Sequence, residues 1–257
     1  MSSLSTAITG LEASQIQLDV SGNDLANVNT TGFKSSSVEQ TSVPVQSFSS
    51  SDSNQSIGVQ VGQGTQVSAV STNYSSGGLV RTGFASDLSI GGNGFFEVVA
   101  PNGDTYFTRN GDFTVDAQGF VRTPEGGFLS AGGAAIQVPK NAIGYSVAQN
   151  GTVSASFSDG STANIGQIDV ATFNNENGLI NTGGGLFKPT QASGTPTYSA
   201  AGTNGAGTIQ QGYLEASNVD VTNEMVNQIV ALNGFQANAK VVQVSNKESK
   251  TLLSLVS

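Results

Sequence analysis

Residues 2–34 read SSLSTAITGLEASQIQLDVSGNDLANVNTTGFK, and their spacing sets the architecture of the whole chain. Leu4, Leu11, Leu18 and Leu25 recur every seven residues, with Ala7, Ser14, Ser21 and Val28 at the companion positions. Up to Val28 there is no proline, and glycine occurs only as Gly10 and Gly22. A heptad with small companion residues predicts a helix that lets a second helix approach closely. An ordinary amphipathic helix on a globular core would show the same pattern, so spacing alone leaves the partner open.

The other end repeats the theme. From Asp220 to Leu255 there is no proline and one glycine, Gly234. Met225, Ile229, Leu232, Gln236, Ala239, Gln243, Asn246, Lys250 and Leu253 follow 4-3 spacing, although only five of these nine are apolar. Asn218 or Asp220 is positioned to cap the start, and Lys247 and Lys250 are expected near the negative end of the dipole. Asn, Gln and Ser dilute both seams, and neither helix is expected to be stable alone in water. Each needs a partner.

Between the ends the character changes. Residues 35–75 are rich in Ser, Gln, Val and Gly, and Ser47–Ser53 is low-complexity and expected to be mobile. From 76 to 215, short β-branched or aromatic runs alternate with turn residues. Phe95–Val99 reaches Asn102-Gly103 and then Thr105–Thr108; Phe113–Val115 reaches Asp116-Ala117-Gln118-Gly119 and then Phe120-Val121. Tyr145–Val147 reaches Asn150-Gly151 and then Val153–Phe157, and Ile168–Phe173 is one more strand. Asn-Gly between apolar alternations is a strong hairpin signal. The fold class expected is α+β: paired N- and C-terminal helices forming a coiled-coil-like inner domain, plus a mainly antiparallel β middle domain. The expected division is 1–34 with 220–257 as a helical polymerisation domain, 35–75 as an extended connecting segment, and 76–219 as the β domain.

Composition narrows the chemistry. The 257 residues carry 9 Lys plus Arg against 18 Asp plus Glu, with 33 Gly, no Cys and no His. Without cysteine there is no disulfide, thiol nucleophile or Cys-ligated metal; without histidine a Ser-His-Asp triad and a zincin site are excluded. Nine scattered bases do not make a nucleic-acid groove. No apolar run has the length of a membrane span, and Met1–Val20 lacks the features of a secretory signal, so neither membrane insertion nor a cleaved leader is expected. Gly91-Gly92-Asn93-Gly94 lacks the Lys-Ser/Thr of a phosphate loop. Asp104, Asp112 and Asp116 fall in hairpin turns, where Asp serves local backbone bonds rather than calcium. Glu97 with Asp112 is the weak candidate for a hydrolase carboxylate pair. No catalytic residue, cofactor or metal is expected.

Ser21 to Lys34, SGNDLANVNTTGFK, resembles the signature that ends the first helix of bacterial flagellar axial proteins, the rod and hook family. Its core here is Asn23, Leu25, Ala26, Asn27, Thr30, Gly32, Phe33 and Lys34, and Asp24 stands where the family has Asn. DLSIGGNGFFEV at 87–98 with Thr108–Phe113, and GYLEASNVDVTNEMVNQIVALNGFQANA at 212–239, are similar to two further blocks of that family. The resemblance implies helical self-polymerisation around an export channel, neighbouring rod and hook proteins as partners, and exit through the flagellar type III apparatus. It places the chain in the basal body or hook. Motif order and length look most like a distal-rod member; a compact hook member is the alternative, towards which Phe235–Ala239 leans. A non-flagellar adhesin or fibre-like β module is the more remote one. Assembly is assigned to Leu4, Leu11, Leu18, Leu25, Asn27, Gly32, Phe33, Met225, Ile229, Leu232 and Ala239, with Gly32 expected at positive φ.

Overall fold

Two long helices and a run of short antiparallel strands make up the computed structural model, which describes residues 2–44, 46–48 and 59–256. Residues 49–53 of the low-complexity stretch lie outside the described residues. The chain divides into two units: 1–26 with 36–73 and 220–257, and 27–35 with 74–219.

In the first unit, helix α1 (Ser2–Ala26) pairs with helix α2 (Val221–Val256). The pairing is antiparallel, because Gly10 lies against Asn238 while Ser14 lies against Gly234. Small residues set the approach. Ala7, Ala13, Ser21 and Ala231 are buried, and a Cβ on Gly10 would come within 2.5 Å of the Asn238 amide. This is the close seam that the small companion positions of α1 predict. Asp220 caps α2, its Oδ1 accepting the N–H groups of Thr222 and Asn223 at 2.9 and 3.2 Å. α2 continues to Val256 with no basic residue in its last turn, so Lys247 and Lys250 stand short of the negative end rather than on it.

Residues 36–72, which read as extended in sequence, form an antiparallel ladder of Ser36–Ser42 with Thr65–Thr72, bulged at Glu39/Gln40 and packed on α1. Gln40 donates to Gln17 at 3.1 Å, and Gly64 lies against Thr9. Gln46–Phe48 pairs with Val59–Val61 further out along the hairpin.

The second unit is the β unit. Phe96–Val99 pairs with Thr105–Thr108 across Asn102-Gly103, with Gly103 at φ +88°. Val115 faces Val121 across the 116–119 turn, where Asp116 Oδ1 accepts the N–H groups of Gln118 and Phe120. Ala142–Val147 pairs with Thr152–Phe157, and Asp169–Thr172 with Thr197–Ala200. The first two hairpins belong to an eight-stranded sheet. One apolar core holds Leu88, Phe96, Phe113, Leu129, Ile168 and Ile209; a second is aromatic, with Phe95, Phe107, Phe173, Phe187 and Tyr74 in edge-to-face contacts. Such pairs contribute about 0.5–1.5 kcal/mol each beyond the area they bury.

Candidate assembly interface

The pairing of α1 with α2 uses one face of each helix and leaves apolar residues exposed among polar and charged ones on the others, Ile8 and Ile16 on α1 and Met225, Val226, Ile229, Val230 and Leu232 on α2. On α2 the inward line is Glu224, Gln228, Ala231, Phe235, Asn238, Val242 and Ser245, one residue ahead of the 4-3 line that the sequence picks out. One residue is 100° of rotation. Met225, Ile229 and Leu232 are therefore 51%, 57% and 46% exposed, and Ala239 is half-buried at the edge. They are not the α1–α2 seam. On α1, Leu4, Leu11, Leu18 and Leu25 are half-buried, while Ala7, Gly10, Ser14 and Ser21 make the close approach.

Asp24 is fully buried on α1. Its Oδ2 accepts the Ser36 N–H at 2.7 Å, and its Oδ1 has no partner. Burial pushes the carboxyl up to about 6; the Ser36 N–H pulls it back, and the Glu224 carboxylate of α2 raises it further. The folded state thus holds this proton more tightly than the unfolded chain, so stability falls as pH rises from about 4 through about 6. Asp24→Asn removes the charge and keeps an acceptor for Ser36. Protection of the α1 amides, corrected for the base-catalysed intrinsic exchange rate and followed from pH 4 to 7, should fall with pH in the parent and stay flat in the variant. Equal slopes would show that Asp24 is solvated.

The residues that follow α1 belong to the β unit. Asn27 starts a turn closed by Thr30 N–H to Asn27 O at 3.0 Å, with Thr30 Oγ1 donating to Asn27 Oδ1 at 3.0 Å. Gly32 is buried at φ +67°, as its place in the sequence predicts. Its N–H donates to Glu215 O at 2.8 Å, and a Cβ there would strike the backbone of Arg109 and Asn110 at 2.7 Å. Phe33 is half-buried, and its carbonyl accepts the Asn218 N–H at 3.4 Å. Asn218 does not cap α2; its Oδ1 takes the Ser35 N–H at 2.7 Å, and its Nδ2 donates to Ser75 O at 3.0 Å.

Beneath this turn lies a buried ion cluster. Lys34 Nζ stands 2.6 Å from Glu215 Oε1 and donates to Ser75 O at 2.8 Å; Arg109 Nη1 stands 3.4 Å from Glu215 Oε2, and the guanidinium carbon Cζ lies 5.3 Å from the centroid of the Phe95 ring. Gly77 N–H also donates to Glu215 Oε1, at 2.8 Å. All three charged groups are buried, and Nε and Nη2 of Arg109 have no partner. Burial lowers the affinity of Lys34 and Arg109 for their protons, against the pull of Glu215, and burial raises the Glu176 carboxyl nearby. One carboxylate thus ties the segment after α1, the 75–77 strand entry, the 109 turn and the segment before α2. Composition gives no hint of the cluster. Yet Lys34, Arg109 and Glu215 each come from a different one of the three stretches that carry the family resemblance.

Among the described residues no group of His, Cys, Asp or Glu is arranged to hold a metal, and no helix is long and apolar enough to cross a membrane. Asp104 Oδ2 accepts from Asn102 Nδ2 at 3.0 Å, the Asp112 backbone N–H donates to Asn110 Oδ1 at 3.1 Å, and Glu97 accepts the Tyr198 hydroxyl at 2.7 Å.

The chain thus has a helix pair with apolar residues exposed on its outer faces and a β unit with its own core. Three family profiles match in the same order: flagella basal body rod protein over residues 4–34, the flagellar hook protein FlgE/F/G D1 domain over 89–155, and flagellar basal body rod FlgEFG protein C-terminal over 210–255. The chain is 36% identical to the flagellar basal-body rod protein FlgG of Bacillus subtilis, over 98% of each chain. It is 37% identical to the FlgG protein of Caulobacter vibrioides, over 96% of each. Likeness to the flagellar hook protein FlgE of Escherichia coli is 38%, over 46% of this chain and 29% of that one. The chain belongs to the flagellar rod and hook family of structural axial proteins.

Proposed function

We propose that this chain is a distal-rod subunit of the bacterial flagellum, polymerising helically around a central channel and carrying torque. The observation that carries the reading is the full-length likeness to basal-body rod proteins, set against a hook likeness confined to less than half of the chain. The exposed apolar faces of α2 supply the surfaces such a polymer needs, and Leu4, Leu11, Leu18, Leu25, Met225, Ile229, Leu232 and Ala239 are its proposed contacts. Asn27, Gly32 and Phe33 shape the turn that follows α1 in the chain. Neighbouring rod and hook proteins and the flagellar export apparatus are the proposed partners.

Electron microscopy of the purified polymer tests the placement: a short straight shaft is expected, and a curved flexible tube would make the chain a hook subunit. Leu11→Asp tests the interface. Leu11 is half-buried beside the α1–α2 seam, and a carboxylate there is desolvated at every contact of a polymer. Polymer and motility should be lost, while the calorimetric transition of the β unit moves by less than about 3 °C. Normal motility in this variant would remove α1 from the assembly surface.

A further inference from the structure

α2 carries a second 3-4 line on the side turned away from α1, through Val226, Val230, Ala237, Lys240, Val244 and Lys247, all exposed. α1 carries an exposed line of its own through Ile8, Glu12, Ile16 and Asp19. Each line holds two like charges seven residues apart: acids on α1, lysines on α2. Among the described residues none of these four charges forms an ion pair. They do not meet within the chain, because in the α1–α2 register Glu12 falls level with Gln236 and Asp19 with Ile229.

We propose that the acidic face of α1 docks on the lysine face of α2 in an adjacent copy, Glu12 against Lys247 and Asp19 against Lys240. The proposal rests on the reading of the chain as a helical polymer. Copies related by a helical operator share one helix direction, so α1 of one meets α2 of the next antiparallel. Antiparallel packing satisfies both pairs in a single register. That register lies eleven residues further along α2 than the intrachain one, about 16 Å at 1.5 Å per residue. It also brings Ile8 level with Thr251, at an open groove lined by Val244, Lys247, Glu248, Thr251 and Leu252. Glu248 lies 100° round the helix from Lys247, off the line of the two pairs. The occupant is a second copy because the complementary charge and the matching seven-residue spacing both lie on this chain. Rim charges of this kind choose partner and register more than they add affinity.

The full-length chain is tested in cells by charge reversal and by cross-linking. Glu12→Lys with Asp19→Lys should cut the number of rods about tenfold or more, and adding Lys240→Glu with Lys247→Glu should restore them. All four sites are exposed, so circular dichroism and the β-unit transition should match the parent. The chain has no cysteine, so Glu12→Cys with Lys247→Cys places a clean pair. Oxidation of isolated basal bodies should give a ladder of linked subunits that neither single variant gives. Unchanged rod number after reversal, loss without rescue in folded variants, or no ladder from assembled rods would each overturn this pairing and leave the polymer reading standing. Absence of the parent chain from isolated basal bodies would overturn both.

Discussion

Glu215→Ala is expected to lower the stability of the β unit by about 3–5 kcal/mol, the cost of removing one partner from a buried ion cluster. For a unit of this size that is a fall in melting temperature of about 10 °C or more. Glu215 is fully buried, and its carboxylate faces Lys34 at 2.6 Å, Arg109 at 3.4 Å and the Gly77 N–H at 2.8 Å. Alanine leaves two buried cations with no ion-pair partner, only the Glu176 carboxylate acting on them from further away, and frees the Gly77 donor. Glu215→Gln keeps the shape and one acceptor but not the charge, so it should fall between the parent and alanine. Pairing Glu215→Leu with Lys34→Met removes a charge of each sign and should cost less than the two changes added together. Scanning calorimetry reads all of these. An alanine variant melting within about 2 °C of the parent would mean that water already reaches the cluster.

The second large effect is expected at Gly32. Valine there is opposed twice: a β-branched residue at φ +67° is a steric outlier, and its Cβ would meet the Arg109 carbonyl carbon and the Asn110 nitrogen at 2.7 Å. Neither obstacle is the end of a flexible side chain, so the turn must move and lose the Gly32 N–H bond to Glu215 O. The cost should be about 3 kcal/mol or more in the β unit, with loss of motility. Ser36→Val is the control: Ser36 starts a strand, its side chain is half-buried, and its contribution comes through its backbone N–H to Asp24. It should change stability by less than about 1 kcal/mol. Proteolysis at 27–35 distinguishes the cases, since only the Gly32 variant should be cut there. Equal motility and equal cutting of the two variants would refute the turn. Gly32 and Glu215 share a hydrogen bond, so their substitutions should combine less than additively.

The sequence by itself determined the elements. Heptad spacing and the lack of proline mark α1 and α2, and Asn-Gly or Asp-x-x-Gly between aromatic runs marks the hairpins at 96–108, 114–122 and 142–157. These signals are local, and local backbone preference is enough to write them. Gly32 is legible for the same reason, because its backbone conformation excludes other residues whatever surrounds it. Tertiary structure decided which face of α2 meets α1. Apolar residues lie on several sides of that helix, so periodicity cannot choose among them; close approach at Gly10, Ser14 and Gly234 does, and it turns the helix one residue from the strongest apolar line. The ladder of Ser36–Ser42 with Thr65–Thr72 reads only as polar and extended, because its strands are more than twenty residues apart in sequence and its packing surface is α1. The Lys34–Glu215 pair joins residues 181 apart, and no charge pattern along the chain announces it. Burial of Asp24 likewise arises only once α1, α2 and Ser36 close around it. Spacing fixes what each segment becomes, whereas faces and buried charges are settled by partners that only folding brings together.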